Sequence, residues 1–80
     1  MTQYPDRPQL GQPFHFEGIV AAVQHVRTGL VVKMNTSYGA LTFIDNQRWN
    51  EGANMRVYGD VYEITFEGVY KIRPFAIFVE

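Results

Sequence analysis

The sequence predicts an all-β domain of five strands closed into a Greek-key barrel. A short helical or irregular plug is expected between the third and fourth strands. Three observations predict this fold. The last third, Met55–Glu80, reads as a long strand, a turn at Glu67-Gly68 and a second long strand. Near the other end, Phe14–Val26 is a long strand with Gly18 in its middle. Glycine inside a strand marks a bulge or a sharp bend, and a bent strand can take part in two sheets at once. Finally, an 80-residue chain buries only about 60–65% of its unfolded surface, so its core is thin. Aromatic residues, 15% of this chain, suit such a core.

Residues 1–13 hold Pro5, Pro8 and Pro13 and read as an extended arm, with Tyr4 as its candidate anchor. Residues 14–80 form the barrel. In the first strand, Phe14, Phe16, Val20 and Ala22 share one parity, and His15, Glu17, Ile19, Ala21 and Val23 share the other. The alternation is clean at first and then apolar on both faces. Arg27-Thr28-Gly29 is a turn, and Leu30–Asn35 is the second strand. Thr36–Gly39 is a hairpin loop of about four residues leading to the third strand, Ala40–Asp45.

Asn46–Asn54 breaks the pattern and is polar apart from Trp49 and Ala53. One helical turn fits there, with Asp45 or Asn46 as N-cap and Gly52 ending it. Trp49 then plugs an open barrel end. The fourth strand is Met55–Thr65, with Val57, Gly59 and Val61 on one face and Arg56, Tyr58, Asp60, Tyr62 and Ile64 on the other. The fifth, Val69–Val79, contains Pro74, which cannot donate to a ladder, so this strand is an edge or is bulged there.

The stretch GANMRVYGDV, Gly52–Val61, resembles the entry to strand four of many OB domains. KIRPFAIFVE, Lys71–Glu80, is similar to the closing strand of replication protein A-type and anticodon-binding OB domains. The resemblance implies the OB fold, a five-stranded, partly open Greek-key barrel. An SH3-like barrel is the rival five-stranded arrangement. The plug position and the length of the first strand favour OB.

The resemblance also implies a ligand face over strands two and three. Lys33 and Phe43 are candidates there, with Tyr38 at the loop tip and Arg27 and Phe66 in the flanking loops. Arg27, Lys33, Tyr38, Phe66 and Lys71 would then line one groove. A second candidate platform follows from the terminal hairpin, where Arg56, Tyr58 and Tyr62 share a face. A two- or four-residue turn brings Lys71 and Arg73 onto that face, and a three-residue turn breaks the pairing. A cation over the Tyr62 ring gains about 0.5–1 kcal/mol, and bases stacked on tyrosines gain about 1–3 kcal/mol each. For each residue the plain alternative is ordinary sheet surface or, for Phe43, core. Glu17, Asp60, Glu63 and Glu67 oppose a phosphate-tracking groove.

The net charge is -1, without the basic excess usual in nucleic-acid binders. With no cysteine, disulfides, thiolate catalysis and thiolate metal sites are excluded. His15 and His25 lie roughly 30 Å apart on an extended strand, so no metal or cofactor is expected. No phosphate-cradling glycine motif or catalytic constellation is present, and no enzyme is expected. The N-terminal residues lack the apolar core of a signal peptide and Ile19–Val23 is the longest apolar run, so the expected location is cytoplasmic, without membrane contact.

Two functions follow from the fold and these residues. The first is binding of single-stranded DNA or RNA by aromatic stacking and Lys/Arg phosphate contacts. The alternative is an OB-fold protein–protein interaction subunit of a larger complex, which the near-neutral charge favours. Its partner, or a second copy in a homodimer, would meet strand five through Phe75, Ile77 and Val79 or through Ala76 and Phe78, with help from the proline-rich arm.

Overall fold

The computed structural model describes residues 7–80. Five strands account for most of them: β1 (Pro13–Val26), β2 (Gly29–Thr36), β3 (Gly39–Asp45), β4 (Asn54–Ile64) and β5 (Tyr70–Val79). They close into a barrel in the order β1-β2-β3-β5-β4. All neighbours are antiparallel except β3 and β5, which run parallel and meet over only Leu41↔Tyr70 and Thr42↔Lys71. The five-stranded all-β barrel of the sequence reading is therefore present.

β1 holds the barrel together. Its first half, Pro13 to Ile19, pairs with β4, and its second half, Gly18 to Val26, pairs with β2. The two ladders overlap at Gly18 and Ile19. A β-carbon on Gly18 would lie 2.1 Å from the Asn35 carbonyl oxygen. Glycine is required there because the β2 backbone at Asn35 crowds it. Of the bulge or sharp bend expected at this glycine, the bulge lies elsewhere, at Ala21, where the register to β2 shifts, while Gly18 is where β1 passes from one ladder to the other. One inserted residue swaps the faces that follow it. Val20 before the bulge is buried, and Val23 after it also packs on the core. The doubly apolar second half of β1 is the sequence trace of this swap.

The barrel interior is filled by Phe14, Phe16, Val20, Val32, Met34, Leu41, Phe43, Met55, Val57, Val61 and Ile72. Among the described residues no polar side chain is buried. Burying a side chain such as Leu41 or Val57 is worth about 1.5–3 kcal/mol. This layer, contributed by every strand, supplies the main stabilising term.

Between β3 and β5 the ladder is short, and the plug lies alongside: Gln47 and Trp49 line a cavity of about 320 Å³ with Pro74, Phe75, Ala76 and Ile77. The plug forms turns and no helix. At its start Asp45 Oδ1 accepts from the Asn46 N–H at 2.8 Å, one residue on and short of the donors an N-cap serves. Oδ2 is taken by the Trp49 indole N–H at 2.8 Å, which turns the ring toward the core. The plug returns to β1 through Gly52 N–H to Val20 O (2.8 Å) and Val20 N–H to Ala53 O (3.0 Å). Gly52, at φ 85°, makes the turn that allows this return. The expected helical turn is absent: the Asp45 carboxylate is taken by the Asn46 N–H and the indole, and the Gly52 N–H goes to Val20.

The Pro-rich arm is described from Arg7 onward, and its Tyr4 lies outside the described residues. Its last residues turn back (Gln12 N–H to Gln9 O, 3.1 Å) and dock on β4 through Gly11 N–H to Val61 O. Pro8 is buried. Pro13, read as part of the arm, opens β1 opposite Asp60.

Candidate nucleic-acid interface

The outer face around the β4–β5 ladder is set by two bulges. The loop between these strands has five residues, from Thr65 to Val69, between the paired Ile64 and Tyr70. Held by Thr65 N–H to Val69 O and Gly68 N–H to Thr65 O, both 2.9 Å, it is odd in length. An unbroken register from Ile64↔Tyr70 would set Arg73 opposite Val61, inside the barrel. The shift at Tyr62 prevents this, so that Glu63 faces Lys71, Val61 faces Ile72 and Asp60 faces Arg73. A second shift, at Phe75, restores the first register toward the strand end. Lys71 and Arg73 thus reach the outer face, as the sequence reading expected of an even turn, although the turn is odd.

Tyr62 is the inserted residue. Its ring is 44% exposed, and the Arg73 guanidinium carbon sits 5.0 Å from its centroid. The ring shares shallow cavities with Ile44, Thr42 and Lys71. Beside it a groove of about 320 Å³ runs over β2 and β3, lined by Lys33, Asn35, Thr42, Thr65, Glu67 and Lys71. Lys33, Lys71, Arg73 and Tyr62 therefore form one surface. Within it Lys71 Nζ lies 3.8 Å from a Glu63 carboxylate oxygen, with both side chains well exposed. Such a pair is worth about 0–1 kcal/mol and yields readily to a stronger anion. Lys33 makes no ion pair among the described residues.

Arg56 and Tyr58 belong to a different patch, over β1 and the far end of β5. Arg56 Nε lies 3.2 Å from Glu17 Oε1, off line for a hydrogen bond, and its Nη2 lies 3.5 Å from Glu80 Oε1. The Tyr58 hydrogen bond first, then the Glu17 and Glu80 charges, hold this guanidinium above its ordinary value. Tyr58 stacks on His15 at 5.5 Å and meets the edge of Phe78 at 5.9 Å. Both candidates are committed to neighbours.

The remaining candidates scatter. Phe43 is 2% exposed and belongs to the core, out of reach of any surface ligand. Alternation along β3 carries the signal: Leu41 and Phe43 face in, while Thr42 and the exposed Ile44 face out. Ile44, beside Tyr62, is the surface residue that sequence reasoning missed. Tyr38 packs edge-on against Phe14 at 5.0 Å and caps that end of the barrel, with part of its ring outside. Phe66 is fully exposed in the β4–β5 loop. The two loops approach each other, since a β-carbon on Gly39 would lie 3.9 Å from the Gly68 carbonyl oxygen. Arg27 lies beyond the opposite end of the β2–β3 ladder, which spans Leu30↔Asp45 to Thr36↔Gly39, roughly 20 Å of strand. The five-residue groove of the sequence reading is thus divided, with Lys33 and Lys71 together and Arg27 apart.

Among the described residues, no cluster of three or more His, Asp or Glu side chains is placed to hold a metal ion, and no helix is long and apolar enough to cross a membrane. Comparison with protein-family models, curated proteins and solved structures gives no match for this chain.

Proposed function

We propose that this chain is an OB-like barrel that binds single-stranded DNA or RNA on the outer face of β2, β3, the Tyr62 end of β4 and the first half of β5, as a binding protein and not a catalyst. The strand order, with a first strand shared between two ladders, supports the OB reading. One observation carries the functional reading. Tyr62 is pushed outward by its bulge into a surface that also holds Arg73, Lys71 and Lys33. An exposed ring offers a π-face to any base, and the cations around it meet the flanking phosphates.

Fluorescence anisotropy of a labelled single-stranded oligonucleotide tests this. Three phosphate contacts give a log–log salt slope of about -2, at roughly -0.7 each. Tyr62→Ala removes one stacking platform, worth about 1–3 kcal/mol, or about 5- to 150-fold in affinity. Because Tyr62 is surface-exposed, the variant should keep its fold. Absence of binding in low salt, or a flat salt response, rejects the proposal.

A further inference from the structure

The β4–β5 ladder holds two inserted residues, and both are aromatic. Tyr62 is left over on β4, and Phe75 is left over on β5 between Pro74 and Ala76. A bulge re-aims the side chain it inserts, and bulges gather beside functional sites. Tyr62 carries the platform described above. Phe75 is 61% exposed and lies outside the cavities that Tyr62 lines. It lines instead the cavity of about 320 Å³ between β5 and the plug, together with Trp49, Gln47 and Asp45.

That cavity is continuous with the single-strand face. The Lys33 groove shares Thr42 and Lys71 with a cavity beside Tyr62. This one shares Ile44 and Tyr62 with the next, which in turn shares Asp45 and Pro74 with the Trp49 cavity. An unbroken trough thus runs along the junction of β3 and β5 and ends where Trp49 and Phe75 line one space. Neither of these rings stacks on another aromatic ring among the described residues.

We propose that the Trp49–Phe75 cavity is a second base-stacking subsite, which takes one base of a strand already held at Tyr62; it rests on the single-strand reading above. Phe75 lies four residues beyond Lys71, roughly 13 Å along β5, so it serves a different nucleotide of the same strand. The cavity is at the lower end of the range for small-molecule sites, roughly 300–1,000 Å³, and suits a single planar ring system. The Gln47 amide offers a donor and an acceptor to the edge of that ring system. Asp45 is the one charged residue among those lining the cavity. Its two carboxylate oxygens already accept hydrogen bonds, from the Asn46 N–H and the Trp49 indole. Arg48, between Gln47 and Trp49 in the chain, is exposed and in no ion pair among the described residues. With Arg73 on the adjoining cavity, it keeps the approach from being acidic. Continuity with the cationic trough selects a base of the bound strand over an unrelated small molecule.

Trp49 is the single tryptophan of the chain, so its emission reports on this cavity. An oligonucleotide of about eight nucleotides, within the span of one OB site, is titrated into the full chain, with anisotropy of a labelled copy followed in parallel. Binding should quench Trp49 emission along the same curve as the anisotropy rise. Phe75→Ala should weaken binding about 5- to 150-fold, as the loss of one stacked base predicts, and should lower the quench at saturation. Tyr62→Ala should weaken binding by a similar factor but keep the quench at saturation, because the base beside Trp49 remains. Phe78→Ala removes another exposed ring of β5, outside the trough, and should bind like the parent. Circular dichroism confirms that each variant is folded. A parent chain that binds no oligonucleotide overturns the single-strand reading and this subsite with it. Anisotropy that rises while Trp49 emission stays constant, Phe75→Ala that binds like the parent, or Phe78→Ala as damaging as Phe75→Ala overturns the subsite alone and leaves the Tyr62 face standing.

Discussion

Gly18→Ala should cost about 3 kcal/mol or more, a large part of the roughly 4–12 kcal/mol that holds a domain of this size together. The new β-carbon would sit 2.1 Å from the Asn35 carbonyl oxygen and 2.9 Å from its carbonyl carbon. These are backbone atoms in a paired strand, so no side-chain rotation relieves the clash. The β1–β2 ladder must part at Gly18. Gly68→Ala is the control. Its β-carbon meets nothing within 4 Å, and its φ of 86° alone penalises alanine, by about 1 kcal/mol. Urea denaturation of the two variants should separate them clearly. Equal midpoints would mean that β1 is not pressed against β2 at Gly18.

Phe43→Ala should destabilise the barrel by about 3–5 kcal/mol, the usual cost of emptying a buried aromatic site. Phe43 packs within the layer that contains Phe16, Leu41 and Val57. The same change at Tyr62 should barely move stability, because that ring is exposed over a bulge. Measured together, the pair separates core from surface. Phe43→Ala shifts the denaturation midpoint strongly, and its effect on oligonucleotide binding follows the folded fraction. Tyr62→Ala shifts binding without the midpoint. A Phe43→Ala protein with parental stability would place that ring outside the core.

The sequence shows where strands begin and end because alternation and turn residues are local signals. The strands expected from Phe14, Leu30, Ala40, Met55 and Val69 all lie within a residue of those observed. The inner face of β4, Val57, Gly59 and Val61, reads directly from its period of two. Bulges carry no such local signature. The insertions at Ala21, Tyr62 and Phe75 are fixed by which strand lies opposite, and each swaps the faces beyond it. This is why β5 looks apolar on both parities. The candidate site was legible in part for the same reason. Tyr62, Lys71 and Arg73 could be named, but their common face depends on a bulge. Alternation alone cannot say which of two faces points inward, so it leaves Phe43 between core and surface. Arg56 could not be seen as neutralised, because Glu17 and Glu80 reach it from β1 and the far end of the chain.

The parallel contact between β3 and β5, two residue pairs long, makes this barrel a rolled sheet with a seam. The other four junctions are extended antiparallel ladders. Parting at Leu41↔Tyr70 and Thr42↔Lys71 would leave a flat sheet in the order β3-β2-β1-β4-β5 with all of those ladders intact. The cheapest excursion from the closed state is therefore an unzipping along one line. Backbone amides of the seam should exchange with solvent faster than those of the β1–β4 ladder, and residue-resolved hydrogen exchange reads the difference. Lys33 and Lys71 lie on opposite sides of that line, so a strand of nucleic acid laid across both would act as a clasp, holding the roll shut while bound.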